Sequence, residues 1–199
     1  MSEELVERAV ALHGHLAPGI ALGIRMSLEA MERLGARKGE KKLIAVSETA
    51  RCLADAMQVT TGCTMGHGNA FVEDYGKLAI TLARVDTRKG VRVALRRDAH
   101  GLSPLMKKWM LREGRLTKEE EVILAGELLR LDGRYLDVEE IEIQMPHKYE
   151  NTRILACERC GDLIPEAFAV REDKTYCKRC VGLEYYQPAA ISPPPRHPQ

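Results

Sequence analysis

From Glu3 to Leu12 the apolar residues Leu5, Val6, Ala9, Val10 and Leu12 recur at helical spacing, with Glu4, Glu7 and Arg8 on the opposite side, so the pattern predicts an amphipathic helix. The segment HGHLAPG at 13–19 interrupts it as an extended corner. Pro18 then suits the first turn of a second helix, where its missing N–H would have no partner anyway, and Ile20, Met26, Leu28, Met31 and Leu34 carry the pattern to Gly35. Lys42–Val46 reads as a strand and Ala50–Val59 as a helix. TTGCTMGHGN at 60–69 has three glycines in ten residues and is expected to be a loop, of a kind suited to close backbone approach to a ligand. Lys77–Val85 and Val91–Leu95 alternate as strands across a turn at Thr87–Gly90, a hairpin. Ser103 before Pro104 starts a helix over 104–112, Thr117 with Glu120 forms a capping box for a helix over 118–131, and Ile141 and Ile143 mark a strand near 138–145.

Helices mixed with a few strands, several in hairpin order, predict an α+β core with a mainly antiparallel sheet. The composition shifts after Pro146: four of the six cysteines and most of the prolines lie beyond it. The expected organisation is a core domain over 1–146, a linker over 147–153, a small four-cysteine zinc finger over 154–187 and a proline-rich tail over 188–199. With 199 residues, a second full-sized domain is not expected. The 45% apolar content supports a core, and two Phe and one Trp make that core chiefly aliphatic. A net charge of +1 provides no whole-molecule attraction for nucleic acid or anionic lipid. Acidic residues at the start of the chain and the lack of a long apolar span lead to the expectation of a soluble, cytoplasmic protein with no membrane partner.

In a reducing compartment, six cysteines suggest metal ligands or reactive thiols more than disulfides. Cys157 and Cys160 form one CxxC pair and Cys177 and Cys180 another, with sixteen residues between them. Each pair presents two thiolates from a tight turn, and the intervening chain can fold the pairs around one zinc. A short helix is expected after the second pair, as in a treble clef. A closed four-thiolate site is structural, because it has no open position for substrate. Seven Lys or Arg balance seven Asp or Glu over 150–199, and four thiolates on Zn²⁺ would leave this region net negative, which argues against nucleic acid and favours protein contact.

A less specific constellation lies nearer the N-terminus. His13 and His15 could face one side of an extended corner, where a metal could take both. Cys52 and Asp55, three apart, share one helix face, and Cys63 follows in the glycine-rich loop near His67. Arg92 and Arg96 alternate with apolar strand residues and could receive an anion, although a solvated or neutralised face is the commoner outcome.

Through HGHLAPGIALGIRM at 13–26, DAMQVTTGCTMGHGN at 55–69 and DYGKLAIT at 74–81, the chain resembles the E-subunit family of formylmethanofuran dehydrogenase, over most of residues 5 to about 145. The resemblance implies an α+β core, a homodimer and a metal-binding groove at the HGH and GCT motifs. Some members also carry a C-terminal four-cysteine finger of treble-clef type. One position departs: the family commonly has Cys after HGHL, and here it is Ala17. The family name comes from a molybdenum or tungsten enzyme of methanogenesis-related one-carbon metabolism, whose redox chemistry belongs to other subunits, and nothing in this sequence resembles those redox domains.

The resulting expectation is a metal-binding accessory protein, alone or within a larger dehydrogenase complex. Structural Zn would sit on the finger, and a second divalent metal (Zn, Ni, Fe or Co) on His13, His15, Cys52 and Cys63. Asp55 would orient a ligand or move a proton. Tyr75 and Lys77 of DYGK would line the groove. The competing expectation is a zinc-finger interaction or regulatory protein whose core domain senses a ligand. Gly19 and Gly23, four apart, give a smooth helix strip open to either a dimer partner or intramolecular packing.

Overall fold

The computed structural model describes residues 2–144, 153–171 and 174–183. The chain divides into two compact units, Met1–Pro146 and His147–Gln199. The expected linker falls almost wholly, and the proline-rich tail wholly, outside the described residues.

In the first unit the helices are α1 (Glu3–His13), α2 (Pro18–Leu34), α3 (Cys52–Thr61), α4 (Pro104–Met110) and α5 (Lys118–Leu129). The strands are β1 (Leu43–Ser47), β2 (Ala70–Val72), β3 (Ala79–Arg84), β4 (Lys89–Leu95) and β5 (Leu136–Glu142). They form one sheet in the order β2-β1-β3-β4-β5, antiparallel except for the β1–β2 pair. The fold is therefore α+β with a mainly antiparallel sheet.

Period-two alternation places Leu43, Ala45, Ile80, Leu82, Val91 and Val93 in the main core cluster. They share that cluster with Ala21, Leu22 and Met26 of α2, and with Met106 and Leu124 of α4 and α5. Pro18 opens α2 as expected, and Gly35 closes it in the left-handed conformation. Ser103 accepts a bond from Met106 N–H to cap α4, and the Thr117–Glu120 capping box forms at α5.

The α2 glycine strip packs inside the chain. A Cβ at Gly19 would lie 2.9 Å from Cys52 Cβ, and one at Gly23 would lie 2.6 Å from Ala56 Cβ. The bare face of α2 thus receives α3, so it offers no support for a dimer contact.

Three local expectations change. His13 ends α1 and Gly14 makes the reversal at φ 97°, so the HGH corner is a left-handed helix cap in place of an extended stretch. The hairpin turn lies earlier than Thr87–Gly90: Lys89 and Gly90 already belong to β4, and Arg88 adopts φ 60°. The first two residues of the glycine-rich segment, Thr60 and Thr61, belong to α3, the rest is loop as expected, and it is followed by β2, a three-residue edge strand too short to show an alternation.

The second unit contains two small antiparallel hairpins. They are β6 (Ile154–Ala156) with β7 (Leu163–Pro165), and β8 (Val170–Arg171) with β9 (Thr175–Tyr176). A 3-10 turn at Arg179–Val181 stands where a short helix was expected. Among the described residues no helix is long and apolar enough to cross a membrane.

Candidate metal centre

The first CxxC sits on a knuckle after β6, where Gly161 at φ 81° takes the left-handed position and its N–H bonds to Cys157 O at 2.9 Å. The second CxxC follows β9 and ends in the 3-10 turn. The ligand atoms of Cys157, Cys160, Cys177 and Cys180 all lie within 4.8 Å of one another, and Cys160 Sγ is 3.9 Å from Cys177 Sγ. Tetrahedral coordination at about 2.3 Å per bond puts sulfurs about 3.8 Å apart, so the donor set fits a zinc-sized ion. Cys177 N–H donates to Cys157 Sγ at 3.3 Å. The amides of Cys160 and Cys177 draw the Cys157 thiol down to about 6. Burial, and then the neighbouring sulfurs, push Cys180 up to about 12. Sulfurs this close cannot all ionise without a cation between them. The site can hold a metal such as zinc, and its four thiolates leave no open position.

In the first unit, the α1 cap and the start of α2 bring the two histidines side by side, with ring centroids 5.1 Å apart and planes tilted by 34°. His13 Nδ1 lies 2.8 Å from Asp55 Oδ2 on the first turns of α3. With the carboxylate as acceptor, Nδ1 is the donor, and in the neutral ring Nε2 then keeps its lone pair. Asp55, expected to share a helix face with Cys52 and to orient a histidine, is paired with His13 across 42 positions of chain and stays close enough to Cys52 for its charge to act on that thiol.

Cys52 is half-buried at the N-terminus of α3, beside Gly19. Burial pushes its thiol up, and the charges of Asp55 and of Glu121 on α5 add to this. Cys63 lies deeper, 1% exposed within the main aliphatic cluster, and burial raises its thiol too. Among the described residues, the finger is the only set of three or more such ligands close enough to share an ion.

The loop after α3 is organised by its own polar groups. Asn69 Oδ1 accepts from Thr64 N–H at 2.9 Å, and exposed His67 pairs its Nδ1 with Thr64 Oγ1 at 2.9 Å. Tyr75 is 65% exposed, with Lys77 Nζ 5.8 Å from its ring centre. The amides of Tyr75 and Lys77 both donate to Glu48 O at 3.1 Å, so DYGK is a turn folded onto the end of β1.

The arginine face does not offer free cations. Arg92 donates to both oxygens of Glu48, at 2.5 and 2.9 Å, and to Glu139 at 3.1 Å. Arg96 pairs with Asp98 and Asp137. The buried Glu48–Arg92 pair was not visible in the sequence, because its partners are 44 positions apart and neither belongs to a recognisable motif. The neutralising acids, Glu48, Asp98, Asp137 and Glu139, come from just past the end of β1, from β5 and from the turn after β4.

Residues 12–144 match the family described as FmdE, molybdenum formylmethanofuran dehydrogenase operon. A protein of Archaeoglobus fulgidus described as a probable S-adenosyl-L-methionine-binding protein is 34% identical over 204 residues, covering 91% of this chain and 53% of the relative. The chain thus spans about half of that relative's length. A solved structure of an FmdE-like protein of the tungsten formylmethanofuran dehydrogenase type, from Syntrophus aciditrophicus, superposes with a TM-score of 0.71 at 29% identity, over 93% of this chain and 94% of that one. The helical corner carrying His13 and His15, the Asp55 helix and the five-stranded sheet all lie within the matched region, and the chain belongs to the FmdE family.

Proposed function

We propose that this protein is an accessory metalloprotein of one-carbon redox metabolism, with a structural zinc on Cys157, Cys160, Cys177 and Cys180 and a second divalent metal at the α1–α2 corner. The observation that carries the second site is the 2.8 Å contact between His13 Nδ1 and Asp55 Oδ2. A carboxylate on one ring nitrogen fixes the tautomer and raises the basicity of the other, which is the usual setting of a metal-binding imidazole. His13 and His15 are the nitrogen ligands in this reading, Cys52, on the same turn of α3 as Asp55, the thiol donor, and Asp55 the group that orients His13. Cys63, in the aliphatic cluster, is the outlying member of the set and would reach the metal only after local rearrangement. When bound, the metal would supply a Lewis acid.

Ala17 is buried, 6% exposed, where a thiol is common in the family, so the site relies more on nitrogen and selects borderline metals over the softest ones. Tyr75 and Lys77 form an exposed pair on the DYGK turn, suited to contact with a bound organic group or a partner surface. A homodimer, and docking onto a larger dehydrogenase complex, belong to the same proposal and rest on family membership.

Cobalt(II) titration of the reduced full chain tests it. The first equivalent should give the intense thiolate charge-transfer bands of a four-sulfur site, and a second equivalent should add weaker bands that His13→Ala and His15→Ala abolish. A titration that ends after the thiolate bands would refute the second site.

A further inference from the structure

A separate opening lies between α4, α5 and the 3-10 turn at Gly133–Tyr135, with a volume of about 320 Å³. That is near the lower end of the range of small-molecule sites, about 300–1,000 Å³. None of the histidines, cysteines or DYGK residues lines it.

Both walls are fixed before any ligand arrives. Ser103 accepts from Met106 N–H at 3.1 Å while its hydroxyl donates to Glu127 Oε2 at 2.7 Å, which ties the start of α4 to α5. On the other side Arg25 Nε donates to Leu131 O at 2.9 Å, and Arg25 is itself held by buried Glu29. Arg96 N–H donates to Tyr135 O at 2.9 Å, which anchors the far end of the turn to β4.

The polar groups of the opening are unequally satisfied. Glu127 has the Ser103 hydroxyl, and Asp132 Oδ1 accepts Arg134 N–H at 2.9 Å. The Arg134 guanidinium sits 5.0 Å from the Tyr135 ring centre. The Arg130 side chain, at the C-terminus of α5, has no hydrogen bond or ion pair among the described residues. Its guanidinium lies over Gly126, where there is no side chain. Beneath these groups Met106 is fully buried, Leu131 is 5% exposed and Leu102 is 39% exposed, so the floor is apolar and its rim open.

We propose that this opening binds a small organic carboxylate. The carboxylate would pair with Arg130, and the apolar body would rest on Leu102 and the accessible edge of Leu131 beside the Tyr135 ring. Guanidinium is the donor that matches a carboxylate's two oxygens, and that of Arg130 is the one charged group of this opening with no hydrogen bond or ion pair among the described residues. The site is independent of the metal reading and would stand if that reading fell.

The test is an amide NMR titration of the isotope-labelled full chain with phenylpropionate, with phenylpropanol as the uncharged control. Phenylpropionate should move the amides of 102–106 and 127–135 saturably, with an affinity of about millimolar for a molecule of this size. Phenylpropanol should not saturate. Arg130→Gln should weaken phenylpropionate by about tenfold or more, the usual effect of losing one charged hydrogen-bond partner. Arg130 is exposed, so the remaining amides should hold their positions and certify the fold. The proposal is overturned if phenylpropionate gives no saturable shifts in these segments, or if Arg130→Gln binds it unchanged.

Discussion

Glu29 and Glu48 are 6% and 7% exposed, and each is kept ionised by arginine. Burial pushes Glu29 up, but hydrogen bonds from Arg33 and Arg25 outweigh it and leave the carboxyl below its ordinary value. For Glu48 the Arg92 hydrogen bonds are the larger effect, and they too hold the carboxyl low. A carboxyl held low in the fold releases its proton more readily than the same group in the unfolded chain, whose value is near 4.5. It therefore stabilises the protein above that pH, and the contribution is lost as pH falls through the folded value. Glu48→Gln should cost about 1–3 kcal/mol at neutral pH, since Arg92 keeps Glu139 as a partner. The difference from wild type should shrink below the ordinary carboxylate range, as urea denaturation across pH would show. At the histidine corner, Asp55→Asn should leave the fold intact and weaken core-metal binding by about 10- to 100-fold, the range for loss of a group that orients a ligand. Isothermal titration of the metal into each protein measures this. The two cysteines of the first unit, both raised by burial, should react slowly with thiol reagents at neutral pH compared with an exposed cysteine.

Among the elements, α2 and α3 make the tightest contact. Gly→Ala in a helix ordinarily gains about 0.5–1 kcal/mol. At Gly23 the added carbon would meet Ala56 Cβ at 2.6 Å and Leu53 Cα at 3.1 Å, so backbone must move. Gly23→Ala should destabilise by about 1–3 kcal/mol, the usual cost of overpacking, and thermal unfolding will read the sign directly. The elements that could be read in the sequence are those whose signal is local. Pro18 at a first turn, Gly35 past a last one and the Thr117–Glu120 box mark helix ends through bonds within one turn, and they place α2 and α5 closely. The edge strand β2 and the pairing of His13 with Asp55 could not be read this way. They depend on which distant backbone lies alongside, and three residues or one carboxylate carry no period. The shape of the HGH corner was not legible either, because a glycine after a helix can either cap it or continue as loop.

Across the full chain, chemistry is divided between two units held together by different means. The first buries its main aliphatic cluster on one face of a five-stranded sheet and a smaller one around Ile44 and Ala83 on the other, and the second has short hairpins around four sulfurs. The CxxC spacing alone identified the four thiols, because both knuckles are local, whereas the proposed core donors come from α1 and the turn after it and from α3 and the loop after it, so their relative placement needed the fold. Family membership covers residues 12–144, so the proposed core site, and not the finger, is what the family assignment bears on. The proposed function stands or falls on whether the two units bind metal independently. Elemental analysis of reduced, metal-reconstituted full-length protein beside its Cys160→Ser and His15→Ala variants decides this. Wild type should hold about two equivalents per chain, zinc among them, and each variant about one, with Cys160→Ser retaining a folded core by circular dichroism. Wild type with a single equivalent, unchanged by His15→Ala and lost with Cys160→Ser, would leave the core without a metal and overturn the proposal.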